Sequence, residues 1–79
     1  MEKQNVEKVN THCDIQRVLD KHNDVWITME NDKDYVYCVK QGDKIWVNLG
    51  LSDYLLEYNL AVNTIYDFLG EINKTWDKI

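Results

Sequence analysis

The sequence offers few arrangements of side chains that could perform catalysis, and Cys38 is the first residue to consider. Cys38 together with His12 or His22 would supply the thiol and the imidazole of a nucleophilic pair, in which the imidazole removes the thiol proton. A reactive thiolate also needs a helix N-terminus or basic neighbours to lower its pKa, and the sequence around Cys38 shows neither. We therefore predict a buried, unreactive thiol at this position.

Ser52 is the only serine, and it stands in the segment Leu49–Tyr54 between a predicted strand and a predicted helix. A G-x-S-x-G nucleophile occupies such a junction, because the sharp turn exposes the hydroxyl. Tyr54 stands where the closing glycine would be, so we interpret Ser52 as a helix cap.

The residues that could bind a metal have unsuitable spacing. His12 and Cys13 are adjacent, so they would point in different directions on a helix, and the chain has no C-x-x-C pair to join them. The acidic segment 30–34 lacks the glycine and the distal glutamate of a calcium loop. We predict a non-enzymatic protein that holds no metal and no cofactor.

The net charge is −5, with 14 acidic residues against nine lysines and arginines. Direct binding to nucleic acid or to an anionic membrane requires clustered positive charge, which this sequence lacks. A basic protein surface is the better electrostatic match.

The length of 79 residues suits one domain, 1–79, with residues 1–10 as a flexible or helical N-terminal arm. No signal peptide or membrane-length apolar run is visible, so we expect a soluble cytoplasmic protein. Its two cysteines are then expected to be free thiols.

Periodicity predicts a helix over residues 12–22, with Thr11 and Asp14 as a capping pair. The period then changes to that of strands over 25–29, 35–39 and 44–49, which are rich in β-branched and aromatic residues. Turn residues separate these segments, so we predict a three-stranded antiparallel meander.

The last third predicts a long helix over about 53–78, with Ser52 as its cap and a hydrophobic staple from Leu51 to Leu56. Two series of apolar residues recur there at heptad spacing. They are Leu55, Val62, Leu69, Trp76 and Leu51, Tyr58, Ile65, Ile72, Ile79. The predicted fold is α+β: a helix, the meander, and a long C-terminal helix packed on one sheet face.

This helix would extend beyond a short three-stranded sheet, so its C-terminal apolar residues need another cover. Either the N-terminal helix supplies it, or a second copy of the chain does. The predicted dimer seam consists of Leu69, Ile72, Trp76 and Ile79.

Register decides which strand residues face away from the long helix. If Lys40 pairs with Lys44 around a three-residue turn, Trp26, Cys38 and Trp46 form one outer row, and the next row includes Val36. Either the N-terminal helix covers these rows, or they are an exposed binding patch, for which tryptophan is well suited.

The last third of the chain carries acidic residues without nearby basic ones, because Lys and Arg are absent between Ile45 and Asn73. Heptad position places Asp53, Glu57, Asp67 and Glu71 opposite the apolar stripe. They form either a solvated helix face or an anionic rail for a basic groove, with Asp32, Asp34 and Asp43 adding charge at loop tips.

The predicted function is non-catalytic binding to another protein with a basic surface, as an inhibitor that occupies a surface made for nucleic acid. The predicted partner-binding residues are Asp53, Glu57, Asp67, Glu71, Asp32, Asp34, Trp26, Trp46 and Val36. In layout and charge the chain resembles phage-encoded inhibitors of bacterial defence nucleases, including some anti-CRISPR proteins. This resemblance assigns no role to any particular residue. The alternative is a homodimeric structural or regulatory protein.

Overall fold

A computed structural model describes the backbone of residues 5–29 and 34–78, and the side chains of these residues up to Glu71. This part of the chain forms five strands and two helices. In order they are β1 (Val6–Val9), α1 (His12–Lys21), β2 (Asp24–Met29), β3 (Tyr35–Gln41), β4 (Lys44–Leu49), β5 (Ser52–Glu57) and α2 (Tyr58–Lys78).

The five strands form one sheet in the order β1-β2-β3-β4-β5. Strand β1 runs parallel to β2, and every later pair is antiparallel. The predicted α+β class is therefore confirmed, and the strands predicted over 25–29, 35–39 and 44–49 are present as β2, β3 and β4. The predicted three-stranded meander is wrong in its extent, because a strand is added at each edge.

Helix α1 begins as predicted. The Thr11 hydroxyl accepts the backbone N–H of Asp14 at 3.1 Å, and the Asp14 carboxylate accepts the backbone N–H groups of Asn10 and Thr11 at 3.0 and 3.2 Å. These hydrogen bonds, that from Asn10 first, lower the pKa of Asp14, because they stabilise its charged form. The capping box thus fixes where the chain turns from β1 into the helix.

The N-terminal arm predicted over residues 1–10 is wrong for Val6–Val9, which form β1. The Asn5 carbonyl accepts the Trp26 N–H at 3.0 Å, and Val9 is completely buried. The edge of β2 offers hydrogen bonds that a free arm would leave unmade, so the short segment adds to the sheet. Residues 1–4 lie outside the described part of the chain.

The long C-terminal helix begins five residues later than predicted, since residues 52–57 form β5. Gly50 has a φ of +72° in the two-residue turn that reverses the chain from Leu49 to Ser52. Pairing along the whole of β4 satisfies more backbone groups than a helix cap at Ser52 would. Leu51 is fully exposed in this turn, so the predicted staple does not form.

The side chains of β3 point to the opposite faces of the sheet from those predicted. Gln41 pairs with Lys44, so the hairpin turn contains two residues rather than three, and Gly42 has the positive φ of +64° that such a turn requires. A register shift of one residue exchanges the two faces of a strand. Val36 and Cys38 are therefore buried, and Val36 is not available as the contact residue that the sequence predicted.

The two faces of the sheet differ in what covers them. Both helices pack on one side, where residues of α1, α2 and the strands form one core. We call this the covered face. It includes Val9, Val25, Ile27, Val36, Cys38, Ile45 and Val47. In the described part of the chain neither helix packs on the other side, the open sheet face, so of the two alternatives for Trp26 and Trp46, cover by the N-terminal helix is wrong.

Contacts between the helices show how α1 is held against α2. The His12 ring stacks on Tyr66 with centroids 4.0 Å apart. The Tyr58 hydroxyl lies 3.2 Å from the Gln16 carbonyl and 3.1 Å from an Asp20 carboxylate oxygen. Leu69 is buried inside this layer, with 1% of its surface exposed.

One of the four residues of the predicted dimer seam is therefore not available for contact with a second copy. Leu69 already packs within its own chain and presents no free surface. The side chains of the other three seam residues, Ile72, Trp76 and Ile79, lie outside the described residues.

Candidate functional site

The open sheet face presents two rows of side chains across the antiparallel strands. The first row is Trp26, Tyr37, Asn48 and Asp53, and the second is Val39, Trp46 and Leu55. Trp46 on β4 and Leu55 on the edge strand β5 are each 38% exposed, a large value for paired apolar side chains of a sheet. Contiguous exposed apolar surface of this kind is typical of interaction sites.

Aromatic packing holds the first row in place. The rings of Trp26 and Tyr37 lie 4.6 Å apart, tilted by 33°. The Tyr37 hydroxyl is 3.4 Å from a carboxylate oxygen of Asp24, at the beginning of β2. Partial burial, and then the negative charge of Asp24, raise the pKa of Tyr37, because both disfavour the phenolate.

In the second row, a hydrogen bond fixes the position of the Trp46 ring. Its indole N–H donates to the Gln41 side-chain oxygen at 2.6 Å, which ties the ring to the end of β3. Beside it, the Asn48 amide donates to Asp53 at 2.7 Å across the β4–β5 pair. The polar atoms at this end of the face are thus oriented by the strands that carry them.

A shallow cavity of about 240 Å³ lies between the two rows. Its lining consists of Tyr37, Val39, Trp46, Asn48 and Asp53, which we call the aromatic depression. Two of its residues, Tyr37 and Val39, were not predicted from the sequence. The dipeptide Gly42-Asp43 was the signal that could have revealed them, because a two-residue hairpin loop fixes the register of β3.

The predicted anionic rail is divided by the fold. Asp53 and Glu57 lie on β5 and point to the open sheet face, opposite Asn48 and Lys44. Asp67 and Glu71 are exposed on α2, which covers the other side of the sheet. The four carboxylates therefore do not form one continuous surface, because the first two are not on the helix.

The acidic residues predicted at the loop tips add little to the anionic rail. Asp34 lies just before β3, where its backbone carbonyl accepts the Thr28 hydroxyl at 2.8 Å. Asp43 is exposed in the β3–β4 turn. Asp32 lies outside the described residues.

The thiol and the two imidazoles considered as a catalytic pair are buried or make other contacts. Burial raises the pKa of Cys38 to about 12, and the thiol faces the core. His12 stacks on Tyr66, and His22 Nε2 lies 2.8 Å from Glu7 Oε2. Both cysteines are free, as predicted, with Cys13 exposed. Among the described residues, no group of three or more His, Cys, Asp or Glu is arranged to hold a metal.

The contact between Glu7 and His22 predicts a pH effect on stability. The hydrogen bond from His22, followed in effect by the charge of Lys21 at 3.7 Å, lowers the pKa of Glu7 below 4.5. A carboxylate with a lowered folded-state pKa stabilises the fold above its unfolded value and loses that contribution as the pH falls through the folded one. We expect Glu7→Gln to be destabilising at neutral pH, with the difference from wild type shrinking as the pH falls from the unfolded-state value of 4.5 through the lower folded-state pKa of Glu7.

Urea denaturation across this pH range is the measurement. Glu71→Gln, at an exposed position on α2, is the matched control and should leave the pH profile unchanged. A Glu7→Gln profile parallel to that of wild type would contradict the assignment.

No protein-family model, curated protein or solved structure matches the chain significantly. None of the described helices has both the length and the apolar character needed to cross a membrane.

Proposed function

We propose that this protein is a non-catalytic binding module that uses its open sheet face to cover a basic surface of another protein. The observation that carries the proposal is the row of Val39, Trp46 and Leu55, which neither helix covers. Tryptophan and tyrosine are enriched among the residues that dominate binding energy, and both line this face.

The charges around the face favour a basic partner. Asp24 and Asp53 lie on it at either side of Tyr37, and Glu57 follows on β5. Lys44 pairs with Glu57 and offsets its charge locally. An apolar centre with a charged rim is the usual organisation of a protein interface, and the charges of the rim select the partner.

The more specific form of the proposal is an inhibitor that occludes a surface made for nucleic acid. The net charge of −5 supports it, since such surfaces are basic. We expect the partner to be cytoplasmic, where two unpaired cysteines stay reduced.

The first experiment is site-specific photocrosslinking in the cells from which the sequence derives. A benzoylphenylalanine in place of Tyr37 should give a discrete adduct with a larger protein. The same group in place of Leu60, which is 53% exposed on α2, is the control and should give none. Adducts from the α2 position alone, or from neither position, would overturn the proposal.

Affinity for the crosslinked partner then tests the mechanism. Trp46→Ala should weaken binding by about 2 kcal/mol, as expected for an interface hot spot, with little loss of stability. The double variant Asp53→Asn/Glu57→Gln should weaken binding and reduce its salt dependence. Asp67→Asn/Glu71→Gln makes the same change of charge on α2 and should have no comparable effect. Equal effects of the two double variants would exclude the open sheet face as the electrostatic determinant.

A further inference from the structure

The aromatic depression has a chemical character of its own within the open sheet face. Tyr37 and Trp46 supply aromatic walls, and Val39 lies directly opposite Trp46 in the β3–β4 pair. Among the described residues of the lining, Asp53 is the charged one. The site therefore combines aromatic rings with a single negative charge.

Its size indicates what it can hold. A volume of about 240 Å³ is smaller than that of pockets that enclose whole drug-sized ligands, which begin at roughly 300 Å³. The depression is also shallow and open to solvent. It suits one side chain presented by a larger molecule better than a free small-molecule substrate.

The hydrogen bonds in the lining favour a planar cation. The Asn48 amide nitrogen donates to Asp53 Oδ1 at 2.7 Å, which orients the carboxylate. The amide oxygen of Asn48 remains an acceptor, so the pair offers oxygen atoms from both residues. A guanidinium has several N–H donors in one plane and also stacks on aromatic rings, whereas an ammonium is a compact and strongly hydrated charge.

We propose that the aromatic depression binds an arginine side chain of the partner protein, with the guanidinium paired to Asp53 and packed against Trp46 and Tyr37. This inference rests on the proposed binding function and specifies its chemistry. The partner is thus expected to present an exposed arginine at the centre of its contact surface.

The test uses small probes and needs no knowledge of the partner. N-acetyl-arginine amide is titrated into the isotopically labelled protein at constant ionic strength, and backbone amide shifts are followed by NMR. We expect saturable shifts at residues of the depression. N-acetyl-citrulline amide, the neutral analogue of the same shape, should bind at least about tenfold more weakly, the effect of losing a charge-assisted hydrogen bond. N-acetyl-lysine amide should also bind more weakly.

Two variants locate the site. Asp53→Asn should lower the affinity for the arginine probe by about tenfold, whereas Asp67→Asn on α2 should not change it. Trp46→Leu keeps an apolar side chain but removes the ring, and should weaken binding several-fold. Because comparison of the probes uses only wild-type protein, the test does not depend on a variant that folds.

Three results would overturn the inference: equal binding of the citrulline and arginine probes, equal binding of the lysine and arginine probes, or equal losses from Asp53→Asn and Asp67→Asn. Failure here, with photocrosslinking still confined to the open sheet face, would leave the binding function in place and remove only the arginine. Failure of both would remove the binding function as well.

Discussion

Leu69→Ala should lower the free energy of unfolding by about 2–5 kcal/mol, the range for a fully buried leucine whose removal leaves a cavity. Leu69 is 1% exposed between α2 and the rest of the core. Since a domain of this size is stabilised by only about 5–15 kcal/mol, the variant should lose a large fraction of its stability. Urea denaturation monitored by circular dichroism measures the change.

Leu60→Ala provides the matched control, because it makes the same substitution on the same helix at a position that is 53% exposed. Its effect should stay within about 0.5 kcal/mol. If Leu69 belonged to a dimer seam instead, Leu69→Ala would reduce the molar mass measured by light scattering and leave the stability of the monomer nearly unchanged. That outcome would contradict the packing described here.

Cys38 should react with iodoacetamide at least about a thousandfold more slowly than Cys13 in the native protein at neutral pH. Cys38 is 1% exposed, and burial raises its pKa to about 12, so the closed state offers almost no thiolate and alkylation requires the core to open. If Cys38 becomes accessible only when the whole domain unfolds, a free energy of unfolding of 5 kcal/mol or more slows its labelling by about a thousandfold or more. Mass spectrometry of time points under native conditions measures both rates.

The variants Cys13→Ser and Cys38→Ser separate the two thiols, and urea should equalise their rates. Rapid stoichiometric labelling of the Cys13→Ser variant without denaturant would contradict the buried position of Cys38. It would also restore Cys38 as a candidate nucleophile.

Local signals predicted much of the fold. The capping pair at Thr11 and the change to period two placed α1, β2, β3 and β4 close to their observed bounds. Strands β1 and β5 were missed, because each depends on a neighbouring edge rather than on its own pattern. In β5, heptad spacing through Leu55 was read as a helix, but pairing with β4 prevails there.

The candidate site was predicted in part. Trp26 and Trp46 were assigned to the face away from the long helix because their strands alternate clearly, and that placement agrees with the observed register. Val36 was assigned to the same face because the predicted turn between β3 and β4 was one residue too long. Asp53 was predicted as a contact residue, but on a helix, so its position beside Asn48 was not foreseen. Proximity across strands follows from register, which a single misjudged turn changes.

The parallel position of β1 also has a consequence for the order in which the chain folds. Strands β3, β4 and β5 are joined by two-residue turns, so they assemble through contacts that are close in sequence. Strand β1 reaches β2 only across α1, and closing that longer loop costs more entropy before its pairing is gained. The antiparallel strands can therefore form a folding nucleus, onto which the N-terminal strand and its helix dock as a later unit.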